Sequence, residues 1–261
     1  MTATMTSGNP AFSSTAFKED VSASATGTVT VGGTSLKSFV LLAFVVAGGA
    51  WGWASATTTS GVDEVSGYAN TTVTIPGGFW LASFGALFVG IWVAMSPRKA
   101  AIGGIIYALL EGYVLGAISA MFDAQTEGIV GAAIVSTACV FLVALFLYAT
   151  RIVRPTRKMA FGVTAAIGGL CLLYFMVGIL SIFNWSWLYS EQFQAIGAII
   201  SGLAVILAAL SLTLDFGQIE RAVEAGAPKY LEWYLGYGLM VTLIWLYITL
   251  LRLLSFVARR N

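Results

Sequence analysis

Four ionisable residues interrupt long apolar runs in this chain. Glu111 sits in YALLEGYVLGAIS, Asp215 closes LSLTLD, Glu232 opens EWYLGYG, and Arg252 lies in LLRLL. A charged side chain at the centre of a bilayer costs roughly 2.5–3.5 kcal/mol on insertion scales. Each such residue is therefore a functional candidate by default. The chemistry open to the three acids is narrow: hold a proton, contact a passing cation, or cap a helix. The 261 residues contain no histidine, which removes His triads, His general bases and His metal sites together.

Each acid has a structural reading beside its functional one. Glu111 is the deepest; it is either a protonated carboxyl bonded to a neighbouring helix or a group lining a polar path. Asp215 is followed by DFGQIERAVEAG. The spacing to Gln218 resembles a capping arrangement, so spacing alone favours an N-cap at the interface over a functional site. Glu232 stands at the start of the last apolar run, near the same membrane face as Asp215.

The elements that must position these groups are spanning helices. The chain is 58% hydrophobic and only 10% charged, against roughly 25% charged residues in soluble domains. This composition fits an all-α integral membrane protein. A net charge of +1 without a basic tract gives no basis for a nucleic-acid partner. Seven apolar stretches approach the roughly 20 residues a spanning helix needs: 37–56, 78–95, 100–122, 129–150, 160–183, 194–215 and 230–256. Small residues four apart recur at Gly48 and Gly52, Gly112 and Gly116, and Gly197 and Ser201, a spacing that lets helices approach closely. Cys139 and Cys171 lie inside apolar runs and read as small core residues rather than a disulfide.

Residues 1–34 are rich in Ser, Thr, Gly and Ala and form a polar tail, expected to be mostly disordered; residues 35–261 form the membrane domain. The tail lacks the basic start and apolar centre of a signal peptide. Ten of the thirteen basic residues fall on one side of the predicted spans, and none lies in the three loops opposite. The positive-inside rule then makes the N-terminus cytoplasmic. Seven spans put the C-terminus outside, with Arg252, Arg259 and Arg260 near that end; the alternative is that one segment is re-entrant and the C-terminus returns inside. Trp51, Trp53, Trp80, Trp185, Trp187, Trp233 and Tyr234 read as interface belts.

The segment LTLDFGQIERAVEAGAPKYLEWYLGYGLMVTLIWLYITLLRLL resembles the C-terminal signature of the Bax inhibitor-1 / YccA family, in its bacterial branch with an N-terminal extension. SGNPAF at 7–12 and the Glu-Gly pair of the third apolar run match as well, so the resemblance runs from residue 7 to the C-terminus. It implies a bacterial cytoplasmic-membrane protein with seven helices and the last helix at the centre. It also implies a pH-responsive calcium leak, without a resident cofactor, in which an aspartate closing helix six pairs with one in helix seven. Asp215 falls on the first position and Glu111 on the family's helix-three glutamate. The second aspartate does not carry over: its place falls near Thr242, and no acid follows Glu232. A lone carboxylate lacks the mutual repulsion of a pair, so the pH response is expected to be weaker or displaced, with Glu111 or Glu232 as candidate second acids.

Four functions compete. A cation leak, with calcium meeting Asp215 and Glu111 in a weak and transient site, suits the acids, since a tight site would trap the ion. A non-transporting regulator of a membrane protease or stress-response partner would place its activity in the tail or loops. A retinal photoreceptor needs a buried lysine that helix seven lacks beyond Lys229. An enzyme needs acids meeting at one depth, whereas Glu111 and Asp215 read as about half a membrane apart, so no enzymatic role is assigned. The leak is the leading expectation.

Overall fold

The computed structural model describes residues 27–62, 69–182 and 191–258. SGNPAF, the Asp63–Glu64 pair, Trp185, Trp187, Arg259 and Arg260 lie outside the described residues. Among the described residues seven α-helices follow one another: α1 (Val31–Ser55), α2 (Phe79–Met95), α3 (Ala100–Gln125), α4 (Ile129–Ala149), α5 (Arg157–Ile182), α6 (Glu191–Glu224) and α7 (Leu231–Ala258). Six are long and apolar enough to cross a membrane. The seventh, α2, has 17 residues, or about 25 Å, the short end of the spanning range. Outward side chains such as Leu81, Phe88, Phe146 and Phe161 are exposed, and a shell of this kind is covered by lipid rather than water.

Helix α7 packs on α1, α3, α4 and α6 and occupies the centre of the bundle. One buried cluster joins α4, α6 and α7 around Leu212, Phe216 and Leu246. A second joins α1, α3 and α7 around Leu41, Ala108 and Met240. The expected glycine pairs on α1 and α3 face one another. A Cβ on Gly116 would stand 1.9 Å from the Gly49 carbonyl oxygen, and one on Gly52 would stand 2.0 Å from that of Tyr113. These backbones touch because no side chain intervenes.

Three expectations change. Helix α6 does not stop at residue 215 but runs unbroken to Glu224. Its last turns, GQIERAVE, contain no proline, and after Gly217 good helix formers predominate. It ends where Gly226 turns to φ +61°. There the Gly226 N–H donates to the Val223 carbonyl and the Ala227 N–H to that of Ala222, a Schellman closure. Asp215 is thus an interior helical residue, not an N-cap.

Second, the stretch assigned to the tail is partly structured. Helix α1 starts at Val31, and the residues just before it pair with the α6–α7 linker. The Val29 N–H donates to the Ala227 carbonyl at 2.9 Å and the Lys229 N–H to that of Gly27 at 3.1 Å, flanking a Thr28–Pro228 bridge. Third, Cys139 and Cys171 are unpaired but exposed on the bundle's exterior rather than in its core. The α1–α2 connection also carries a hairpin, β1 (Thr57–Val62) against antiparallel β2 (Ala69–Thr74). Its threonine-rich strands suit the pleat.

Candidate functional site

Two cavities hold the two interior carboxylates, one on each flank of α7. The larger, about 500 Å³, lies between α2, α3 and α7 and contains Glu111 with Ser83, Gly90, Tyr107 and Tyr237 on its wall. Glu111 follows Tyr107 by four residues, so helical periodicity stacks both on the face of α3 that looks into this space. The smaller, about 120 Å³, lies between α6 and α7 and contains Asp215 with Gln218, Tyr234, Tyr237 and Gly238. Either is large enough for several waters.

Thr242 of α7 stands beside the Asp215 carboxyl group, and its hydroxyl donates to the Gly238 carbonyl at 3.3 Å. The position reached by counting back from LLRLL therefore does face Asp215 across the α6–α7 contact. The second carboxylate oxygen of Asp215, Oδ2, is buried and has no hydrogen-bond partner. Among the described residues it shares that condition only with Ser201 Oγ. Buried polar atoms are nearly always satisfied, and an orphaned carboxylate oxygen is a lone pair available to a proton, a water or a cation.

Glu232 does not join this pair and lines neither cavity. It is 1% exposed and forms an ion pair with Lys37 of α1. Its Oε1 accepts from both the backbone N–H and the hydroxyl of Thr30 at 3.0 Å. Thr30 in turn caps α1 by accepting from the Gly33 N–H. Glu232 is thus a tether between the starts of α1 and α7, with Lys37 also resting over the Trp233 ring at 5.6 Å. Arg252 stacks on Tyr174 of α5 at 5.0 Å, away from both carboxylates.

Asp215 lies nine residues short of the end of α6 and Glu111 eleven past the start of α3. They occupy separate cavities on α7, and Tyr237 is the residue that lines both. Sequence reasoning passed over Tyr237, because aromatic residues near a helix start read as an interface belt. A polar-tipped ring nearly two helical turns into the most central helix was the available signal. No three His, Cys, Asp or Glu gather among the described residues, and each of the two cavities holds one carboxylate.

Comparison with known proteins adds the family. No curated protein and no solved structure matches the chain. A family profile described as Bax inhibitor 1 like matches residues 9–259, nearly the whole chain and every helix of the bundle. Together with the seven apolar helices, that match makes this chain a multi-pass membrane protein of the Bax inhibitor 1 like family.

Proposed function

We propose that the protein is a cation leak through the membrane, with calcium the preferred ion, and that Asp215 and Glu111 are the carboxylates the ion meets. The observation that carries this reading is the orphaned Oδ2 of Asp215 beside a cavity of about 120 Å³ between two spanning helices. Calcium favours carboxylate and carbonyl oxygens. Asp215 supplies the first, and the Thr242 hydroxyl stands beside it. The sparse ligand set favours the passage of ions over their capture. The clustering of Lys18, Lys37, Arg98, Lys99 and the α4–α5 basic loop on one side supports a cytoplasmic N-terminus.

The test is calcium flux into liposomes holding the purified protein, on both sides of neutral pH. Protonation and Asp215→Asn both remove the same negative charge. Asp215→Asn is therefore expected to abolish the pH dependence and to give, at every pH, the flux of the wild type at its acid limit. Between the ionised wild type and this variant the difference is expected to be on the order of tenfold, about 1.4 kcal/mol in barrier height. Glu111→Gln is expected to change flux in the same direction by less. Wild-type flux no greater than that of empty liposomes would refute the leak and turn attention to a non-transporting role with a protein partner.

A further inference from the structure

The two carboxylate cavities share one wall residue, Tyr237. We infer that the Tyr237 ring is the movable partition between them, and that its displacement joins the Asp215 space to the Glu111 space. As a gate, this rests on the cation-path reading above; as a partition, it stands on geometry alone.

The ring packs on the Leu41–Met240 cluster, and its polar anchor is weak. Its hydroxyl donates to the Gly90 carbonyl of α2 at 3.3 Å, a long hydrogen bond by ordinary standards. Its edge meets Tyr107 with centroids 5.2 Å apart and planes at 79°. Gly90 is what admits the ring: a Cβ there would lie 3.2 Å from the Tyr237 hydroxyl oxygen and 3.1 Å from Tyr107 Cε2. Gly238, the next residue on α7, lines the Asp215 cavity and has nothing within 4 Å of where a Cβ would be. The space beside the ring is therefore open on the Asp215 side. On a helix a tyrosine has two accessible χ1 wells. One sets the ring against Gly90, and rotation towards the other withdraws it from the wall. Both spaces are large enough to hold water, and the Tyr237 ring is the side chain that lies on the wall of each.

The experiment reads access to position 111 and flux in the same samples. In full-length protein with Cys139 and Cys171 replaced by serine, Glu111→Cys is exposed to a small, membrane-impermeant cationic methanethiosulfonate. The reagent is added on the side of the α6–α7 linker. With Tyr237 present, labelling is expected to be slow. Tyr237→Ala should raise the labelling rate at least tenfold, with Tyr237→Phe, which keeps the ring but loses the Gly90 bond, in between. Gly90→Ala approaches the same ring from the opposite wall and meets only side-chain tips. It should also accelerate labelling, and it keeps the test available if Tyr237→Ala does not fold. Fast labelling with Tyr237 in place, or rates unchanged in Gly90→Ala and the Tyr237 variants, overturns the partition. Flux that depends on Asp215 but not on Tyr237, with labelling unchanged, leaves the leak standing without this gate. Accelerated labelling with no wild-type flux keeps the partition and refutes the leak.

Discussion

Gly116→Val is expected to cost the protein its α1–α3 seam and most of its folded yield. Even the first carbon of the new side chain would fall 1.9 Å from the Gly49 carbonyl oxygen. The obstacle is helical backbone, not a side chain that can rotate away. Overpacking a core by a methylene typically costs about 1–3 kcal/mol; here one helix must move against another, so the cost is expected at or above about 3 kcal/mol. Total stabilities run to only about 5–15 kcal/mol. The midpoint of thermal unfolding in detergent should fall by about 6–12 °C, at 2–4 °C per kcal/mol for a chain of this size. Gly52→Val should behave alike, since its Cβ meets the Tyr113 carbonyl oxygen at 2.0 Å. Gly168→Ala on α5, with nothing within 4 Å, is the control and should be neutral or mildly stabilising. Equal melting of Gly116→Val and Gly168→Ala would dismiss the seam as a source of stability.

The second large effect concerns the tether. Glu232→Gln leaves Lys37, 18% exposed, without its counter-charge, and removing one partner of a buried pair costs about 3–5 kcal/mol. The acid also sits in the first turn of α7, where negative charge complements the helix dipole. Lys37→Met combined with Glu232→Gln removes both charges while the amide oxygen still accepts from Thr30. Most of the loss should return in that double variant. Unfolding in detergent of the two single variants and the double variant gives the coupling energy directly. A coupling near zero would mean that the two charges contribute independently and that the pair does not fasten α1 to α7.

Much of this architecture was legible in the sequence. Apolar runs mark spans because a bilayer leaves few alternatives, and the glycine pairs of α1 and α3 marked their own interface. The end of α6 was not legible, because hydropathy reports where apolar residues stop, not where hydrogen bonding stops. Asp215 looked like an exit, yet the nine residues after it continue the helix. Glu232 looked like a second site acid because its partners, Thr30 and Lys37, lie near the opposite end of the chain. Tyr237 was hidden by a general expectation about aromatic belts. Thr242 was reached only by counting from a resembling motif, and its neighbourhood with Asp215 depends on how α6 and α7 cross.

The Lys37–Glu232 pair spans 195 residues of chain. A ribosome adds about 5–20 residues per second, so α1 waits roughly 10–40 s for the residue that neutralises it. Throughout that interval the first helix carries an unmatched ammonium and its N-terminal strap has nothing to pair with. Helix α1 can seat its glycine seam on α3 well before then, but the strap at its start closes only when α7 arrives.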